Sequence, residues 1–263
     1  MPQLQHDAYF YGPQAKKPNC PLVIVLPGLD ETGQDLMSKQ TASLQTNFDV
    51  RCFVVPPEDI DDFDLLAESA LALIETERTS DPERAVYLCG ESFGGCIALK
   101  MLEQAPKLFE KIILVNPASS FHRVWWLNLG SLLFPFTPDF LYNYSAFLSL
   151  PFLAPLDRLS SQARQDLEET VKSASKQTAQ QRIAMMREFA IDEDKLGRIV
   201  QPVLLVGSRQ DLILPSVAEA KRLAGIFPQA TVVTLPHSGH ACLVEEKINL
   251  YQIMVENNFV VST

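Results

Sequence analysis

The chain is poor in the residues that bind metals, form disulfides or contact nucleic acids. Its 263 residues include only four histidines and five cysteines, and no two cysteines form a Cys-x-x-Cys pair. An odd number of scattered cysteines in apolar surroundings is typical of a reducing compartment, so we expect no disulfide, no metal and no other cofactor. The net charge is −10 and no basic tract is present, which argues against nucleic acid as a partner.

The sequence also lacks the usual signals for secretion or membrane insertion. Residues 1–7 contain neither a basic segment nor an apolar one, so we expect no secretory signal and a cytoplasmic protein. Residues 124–156 form a long run whose only charged residue is Asp139. Prolines interrupt this run at positions 135, 138, 151 and 155, and the resulting pieces are too short to cross a bilayer.

The strongest motif lies between a predicted strand and a predicted helix. Residues 85–89 (Ala-Val-Tyr-Leu-Cys) form a short apolar run typical of a buried strand, and residues 93–105 have helical periodicity. Between them, residues 90–94 (Gly-Glu-Ser-Phe-Gly) match the G-x-S-x-G nucleophile elbow, which requires a strand, a sharp turn and a helix. The motif predicts Ser92 as a nucleophile, with the Phe93 N–H directed at negative charge that develops beside it.

Strands and helices alternate along most of the chain. Strands are predicted at residues 21–26, 50–55, 85–89, 112–115, 202–207 and 230–235, with a weaker edge strand near residues 9–11. Helices are predicted at residues 63–74, 93–105, 216–227 and 241–257, and a helical pattern covers residues 160–189. This order predicts an α/β fold with a mostly parallel central sheet flanked by helices. Because the alternation stops at residue 118, we predict a core of residues 1–117 and 190–263 and an inserted helical cap of residues 118–189.

A glycine-containing turn follows the first buried strand of this sheet. Residues 27–33 (Pro-Gly-Leu-Asp-Glu-Thr-Gly) come directly after the strand at residues 21–26. In a serine hydrolase, the loop at this place supplies the second backbone donor of the oxyanion hole. The Leu29 N–H is therefore predicted to act beside the Phe93 N–H.

A serine nucleophile needs a base within hydrogen-bond reach and an acid that orients the base. In this type of fold the acid precedes the histidine, and both follow the serine. Three histidines follow Ser92: His122 at the start of the cap, and His237 and His240 after the last strand. We predict His240 as the base because a glycine frees the backbone before it. Asp211, in the loop after the penultimate strand, is predicted to hold the tautomer of His240.

Aromatic side chains are concentrated in the first half of the cap. Such a segment beside the carboxyl edge of the sheet predicts an apolar substrate pocket or a lid that touches a membrane. The candidate substrate-binding residues are Trp125, Trp126, Phe134, Phe136 and Phe140.

Several stretches together carry a family likeness. They are residues 26–30, 90–96, 114–121, 214–216 and 238–240. On these residues the chain resembles the α/β-hydrolase superfamily. Within it, the chain is similar to the esterase, lipase and thioesterase group that includes the plastid phytyl ester synthases and their cyanobacterial relatives.

The resemblance implies acyl transfer from a lipid, galactolipid, acyl-CoA or acyl carrier donor to water or to a hydrophobic alcohol such as phytol or diacylglycerol. Many relatives carry a second, acyltransferase domain with an H-x-x-x-x-D motif, which none of the four histidines fits. We therefore expect a hydrolase-type domain alone. Glu31 stands where the resemblance implies a glycine of the oxyanion loop.

The leading hypothesis is a serine esterase or lipase that acts on apolar acyl esters or thioesters through an acyl-enzyme. Two alternatives stay open: an acyltransferase that uses the same intermediate, and a catalytically idle protein that binds a hydrophobic ligand or a partner. The oligomeric state and contact of the cap with an internal membrane stay open as well.

Overall fold

A seven-stranded sheet forms the centre of the molecule. The computed structural model describes residues 8–12, 16–28, 34–55, 62–138, 142, 150–173 and 175–260. The strands are β1 (Tyr9–Tyr11), β2 (Leu22–Leu26), β3 (Asp49–Val54), β4 (Val86–Glu91), β5 (Lys111–Val115), β6 (Val203–Ser208) and β7 (Ala230–Leu235). Their spatial order is β1-β3-β2-β4-β5-β6-β7, with β1 antiparallel to β3 and every other pair parallel. This is the α/β-hydrolase fold that the sequence predicts.

Helices alternate with the strands and cover both faces of the sheet. In chain order they are α1 (Gln34–Leu44), α2 (Phe63–Glu77), α3 (Phe93–Gln104), α4 (Trp125–Leu133), α5 (Ser161–Ser173), α6 (Lys176–Glu188), α7 (Glu193–Leu196), α8 (Ser216–Ala224) and α9 (Leu250–Glu256). Short 3₁₀ turns occur at Pro106–Leu108, Ala118–Arg123, Phe134–Phe136, Leu156–Arg158 and Cys242–Val244.

The core consists of two apolar layers, one on each face of the sheet. All five residues of β2 are buried, because successive side chains point to opposite faces and both faces are covered. Leu22, Ile24 and Leu26 join the layer under α2, α3 and α8. Val23 and Val25 join the layer under α1 and α9. Because β4, β5, β6 and β7 pair in parallel, their carboxyl ends lie at one edge of the sheet.

The segment between β5 and β6 contains helices and turns but no strand within its described residues. Part of it belongs to the main core, since Phe121, Met185, Met186 and Phe189 lie in the α2–α3 layer. A separate small cluster joins Leu150, Ala154 and Leu167 to Val244. The division into a core and a cap at residues 118–189 therefore stays a prediction. Over the described part of the chain, no helix is long and apolar enough to cross a membrane.

The closing helix is shorter than the sequence pattern predicts. Only a 3₁₀ turn forms at Cys242–Val244, and α9 begins at Leu250. Glu245 is extended (φ −70°, ψ 143°), and its buried carboxylate accepts a hydrogen bond of 2.8 Å from the Gly239 N–H. Asn249 then caps α9 by accepting a hydrogen bond from the Gln252 N–H. The prediction of a helix from residue 241 was wrong, because contacts of the Glu245 carboxylate with Gly239 and with Arg158, 87 residues away, compete with the local pattern.

Candidate active site

Ser92 lies at the sharp turn between β4 and α3. Its backbone has φ 50° and ψ −114°, a conformation that residues with a side chain rarely adopt. The Ser92 N–H donates to the Val115 carbonyl at 3.0 Å, and the Ser92 carbonyl accepts from the Ala118 N–H at 2.9 Å. Hydrogen bonds to the end of β5 and to the residues just after it therefore hold the strained backbone in place.

Two glycines flank the serine because the chain passes very close to its neighbours there. A Cβ at Gly90 would lie 2.6 Å from the Gly94 carbonyl oxygen. A Cβ at Gly94 would lie 2.1 Å from the carbonyl oxygen of Leu26, at the end of β2. Real Cβ atoms do not approach backbone atoms so closely, so both positions of the motif require glycine.

Ser92, His240 and Asp211 meet at the carboxyl edge of the sheet. Ser92 Oγ lies 2.8 Å from His240 Nε2, and His240 Nδ1 lies 2.7 Å from Asp211 Oδ2. The three residues come from the ends of β4, β6 and β7, and their contacts join parts of the chain that are 148 and 29 residues apart. The structure leaves His237 exposed and places His122 in the turn before α4. The geometry is that of a nucleophile, a base and an orienting acid.

The Asp211 carboxylate is held as an anion by several donors. Its Oδ1 accepts hydrogen bonds from the backbone N–H groups of Ile213 (2.8 Å) and Leu214 (2.9 Å). Its Oδ2 accepts one from the hydroxyl of Ser216 in addition to its contact with His240. Burial by itself raises the pKa of Asp211, but His240 and these donors outweigh it and hold the pKa below its usual value.

Contacts with the segment between β5 and β6 fix the loop that carries His240. A Cβ at Gly239 would lie 2.8 Å from Cδ of Pro155 and 2.9 Å from the Leu153 carbonyl oxygen. The Ala241 N–H donates to that same carbonyl at 2.8 Å. The buried Glu245 accepts hydrogen bonds from Ser238 Oγ, from the Gly239 N–H and from Arg158 Nε. The backbone on either side of His240 is therefore held by Glu245 and by the segment around Pro155.

Asn116, which directly follows β5, contacts the end of β6 and the loop that carries His240. It is fully buried with φ 44°, a region in which asparagine is tolerated better than most residues. Its Nδ2 donates to the His240 carbonyl at 2.7 Å and to Ser208 Oγ at 2.9 Å. Its Oδ1 accepts a hydrogen bond of 2.8 Å from the Ser208 N–H. A single side chain thus ties β5 and β6 to the histidine loop.

One of the two predicted oxyanion donors lies within the described structure. Phe93 is the first residue of α3, where backbone N–H groups have no partner inside the helix. Its ring packs against Phe63, and the guanidinium of Arg182 from α6 lies 5.6 Å from the ring centroid. Leu29 lies outside the described residues, as does Glu31.

The predicted cap residues lie in different environments. Trp125, Trp126 and Phe136 are exposed to solvent, by 75%, 46% and 81%. Phe134 is partly buried, and its ring lies 5.9 Å from that of Tyr142. Phe140 falls outside the described residues. A substrate-binding role for these side chains stays a prediction.

The cysteines nearest the site are poor nucleophiles. Cys89, Cys96 and Cys242 are fully buried, and burial raises the pKa of each thiol far above its usual value. A protonated thiol in a tightly packed core does not compete with Ser92. Among the described residues, no group of His, Cys, Asp and Glu side chains could hold a metal ion.

Sequence reasoning gave no role to Asn116, Ser216, Glu245 or Arg158. Asn116 follows a strand and precedes a proline, which is a signal for a special backbone position. Ser216 opens α8 five residues after Asp211, close enough for a side-chain contact. The pairing of Glu245 with Arg158 joins residues 87 positions apart and leaves no local signal.

The fold and this site define the class of protein. The sequence profile of the α/β hydrolase fold family matches residues 55–247, and the chain belongs to that family. Proteins similar to it in sequence include two phytyl ester synthases, putative carbamate hydrolases and a methyl ester esterase.

The chain is 28% identical over 258 residues to phytyl ester synthase 1, chloroplastic, of Arabidopsis thaliana, a match covering 90% of this chain and 36% of that relative. The chain thus spans about a third of the relative's length. It is also 29% identical to the pimeloyl-[acyl-carrier protein] methyl ester esterase of Nitrosomonas europaea, over 59% of this chain and 64% of that enzyme.

Solved structures share the fold at lower sequence identity. MGS-M2, an α/β hydrolase enzyme from a Medee basin deep-sea metagenome library, superposes with a TM-score of 0.76 at 17% identity over 98% of this chain and 96% of its own. At such identities the likeness supports the fold alone.

Proposed function

We propose that this protein is a serine hydrolase that cleaves apolar acyl esters through an acyl-enzyme intermediate. The observation that carries the proposal is the pair of contacts from Ser92 Oγ to His240 Nε2 and from His240 Nδ1 to Asp211 Oδ2, at 2.8 and 2.7 Å. A serine hydroxyl reacts at neutral pH only when a base takes its proton, and this geometry supplies that base.

In the first half of the reaction, Ser92 Oγ attacks the ester carbonyl carbon while its proton passes to His240 Nε2. Asp211 holds the proton of Nδ1 and stabilises the imidazolium, remaining ionised itself. When the tetrahedral intermediate collapses, Nε2 returns the proton to the leaving alcohol. In the second half, water attacks the acyl-enzyme by the same route and releases the acid.

The negative charge on the tetrahedral oxygen falls beside the start of α3. The Phe93 N–H is the donor that we assign there, and the N-terminal end of the helix dipole favours the same charge. A well-placed oxyanion donor contributes about 3–4 kcal/mol to transition-state stabilisation. We assign the Leu29 N–H as the second donor.

A first experiment measures hydrolysis of p-nitrophenyl esters from acetyl to palmitoyl by the purified protein in detergent. The matched control is Ser92→Ala, which removes only the hydroxyl. We expect serine-dependent turnover with an optimum at medium or long chains. An optimum at acetyl would overturn the apolar-substrate part of the proposal.

A fluorophosphonate probe reacts with an activated serine whatever the natural substrate is. Labelling therefore shows whether Ser92 is activated even if none of the tested esters is a substrate. The folded wild type is expected to react at Ser92, and Ser92→Ala is expected not to react. Absence of labelling in a folded wild-type sample would contradict a serine hydrolase and favour a catalytically idle binding protein.

Acyl transfer to a hydrophobic alcohol is the second candidate function. The similarity to phytyl ester synthase 1 over 90% of this chain favours it. The same acyl-enzyme would then be resolved by an alcohol in place of water. Adding phytol to the hydrolysis assay tests this function: a phytyl ester that forms with wild type and not with Ser92→Ala supports it, and free acid alone contradicts it.

A further inference from the structure

The face of α4 that points away from the core is apolar. Six large side chains of α4 and the 3₁₀ turn after it are at least 46% exposed: Trp125, Trp126, Leu129, Leu132, Leu133 and Phe136. Spacings of three, four and seven residues place them along one side of the helix. We call this set the apolar cap face.

The opposite side of α4 is the more polar one. Leu127 packs against the core, but Asn128 and Ser131 also point inward and satisfy their polar groups locally. A helix on the surface of a protein in water normally has the reverse arrangement. The apolar cap face therefore marks an interaction surface and is not part of the packing of the core.

The charges around this face indicate what kind of surface it meets. Asp139 is the only charged residue in the sequence from residue 124 to residue 156. Arg123, just before α4, is paired with Glu193 at 3.0 Å. The protein carries a net charge of −10, which disfavours approach to an anionic surface. A protein partner typically requires a polar rim with hydrogen bonds, and the two indole N–H groups are the only polar side-chain groups that these six residues offer.

We propose that the apolar cap face docks α4 flat onto a lipid surface with uncharged or zwitterionic head groups. The two tryptophans suit the boundary between head groups and acyl chains, and the leucines and Phe136 enter the apolar layer. Chain continuity places this surface close to the candidate active site. The turn Ala118–Arg123 leads directly into α4, and its first N–H donates to the Ser92 carbonyl at 2.9 Å.

The two tryptophans make the proposal directly measurable. Trp125 and Trp126 are the only tryptophans in the chain, so tryptophan emission, excited where tyrosine does not absorb, reports on this face alone. The experiment titrates the protein with vesicles of ether-linked phosphatidylcholine, which contain no ester to hydrolyse, and follows emission and flotation. We expect a blue shift of the emission and co-flotation of the protein. Because no chemistry occurs, this result is independent of the proposed function.

A double variant tests whether the face itself binds. Leu132→Ser with Leu133→Ser removes two apolar side chains, 54% and 58% exposed, and leaves both tryptophans in place. We expect its partitioning to fall by about tenfold or more. Val200→Ser with Val255→Ser, exposed positions outside the cap, is the matched control and is expected to partition within about twofold of the wild type.

Four results of the vesicle experiments would overturn the proposal. They are absence of binding by the wild type, equal binding by the Leu132/Leu133 variant, binding that requires phosphatidylglycerol in the vesicles, and binding lost equally in the control variant. Sedimentation of the protein without vesicles tests whether a second copy of the chain occupies the face. A dimer that the Leu132/Leu133 variant dissociates would assign the face to a second copy of the chain.

Discussion

Two residues at the candidate site have backbone conformations that are uncommon for their type. Ser92 and Asn116 have φ values of 50° and 44°, and each directly follows one of two adjacent strands, β4 and β5. Such conformations persist only where the surroundings over-determine them. The surroundings fix both backbones: the Ser92 backbone is hydrogen-bonded to Val115 and Ala118. The Asn116 side chain is hydrogen-bonded to Ser208 and His240.

At the residue scale, Asp211→Asn tests the orienting acid. An asparagine keeps the shape and can still accept from the Ile213 and Leu214 N–H groups through its carbonyl oxygen. The asparagine amide would donate to His240 Nδ1, so the imidazole proton would lie on Nε2. A protonated Nε2 cannot accept the proton of the Ser92 hydroxyl. We expect kcat for an activated ester to fall by about 10³–10⁴-fold.

The circular dichroism spectrum and the urea midpoint of this variant show whether the fold is retained. Asp166→Asn, at a partly exposed position of α5 outside the candidate site, is a matched control that should leave kcat unchanged. A kcat within about tenfold of the wild type would show that Asp211 does not set the tautomer.

The elbow depends on how closely α3 approaches the end of β2. Gly94 lies in the first turn of α3 and meets the Leu26 carbonyl, and Gly95 meets Pro117 after β5. A Cβ at Gly94 would meet backbone, and a Cβ at Gly95 would lie 2.7 Å from Cβ of Pro117 and 3.0 Å from its Cα. Neither neighbour can move aside as the end of a flexible side chain does. The element that presents Ser92 is therefore fitted between the ends of two strands.

At the element scale, Gly94→Ala and Gly130→Ala form a matched pair of helix substitutions. At Gly94 the new methyl would meet the Leu26 carbonyl oxygen at 2.1 Å, whereas at Gly130 nothing lies within 4 Å. We expect Gly94→Ala to lower the free energy of unfolding by about 3 kcal/mol or more. Gly130→Ala should raise it by about 0.5–1 kcal/mol, because alanine favours an exposed helix interior.

Urea unfolding followed by circular dichroism measures both effects. Equal stability of the two variants would contradict the close approach of α3 to β2. A stabilising Gly94→Ala substitution would contradict it more strongly.

The whole molecule combines a net charge of −10 with a few charged groups buried away from the site. Asp49 at the start of β3 accepts hydrogen bonds from Arg51 at 2.6 Å and from Arg84 at 2.8 Å. Arg84 also donates to the carbonyl oxygens of Lys17 and Cys20. This cluster joins the start of β3 to the chain before β2 and before β4, at the edge of the sheet opposite the candidate site.

At the scale of the whole molecule, the Asp49 cluster predicts acid sensitivity. Burial by itself raises the pKa of Asp49, but the hydrogen bond from Arg84 and the charge of Arg51 outweigh it and lower the pKa below its usual 3.8. Because the folded pKa lies below the unfolded one, the stabilisation is present above about pH 4 and is lost as the pH falls through the folded pKa.

Asp49→Asn should cost about 3 kcal/mol at pH 7, because it removes the counter-charge of Arg84 and the nearer of the two carboxylates that face Arg51, the other being Glu77 at 3.5 Å. Its free energy of unfolding should fall less steeply than that of the wild type below about pH 4. Urea titrations at pH 7, 5, 4 and 3 measure both quantities. Identical slopes for the two proteins would exclude Asp49 as a source of acid sensitivity.

The sequence by itself determined the strands of the sheet and the sharp turn at Ser92. β1 and β7 occupy residues 9–11 and 230–235 as predicted, and the other five strands differ by one or two residues at their ends. These features are local: an apolar run of five or six residues specifies a strand buried on both faces, and the G-x-S-x-G spacing specifies the turn at Ser92. The expected chain order of serine, acid and histidine also limited the candidate bases to the three histidines after Ser92.

Only the tertiary structure decided what depends on residues far apart in the chain. The carboxylate of Glu245 meets Arg158, Ser238 and Gly239, and this contact ends the predicted helix from residue 241. Asn116 became a link between β5, β6 and the His240 loop only when the sheet brought those ends together. The outward direction of Trp125 and Leu132 likewise depends on which side of α4 the core covers, and periodicity alone does not determine that side.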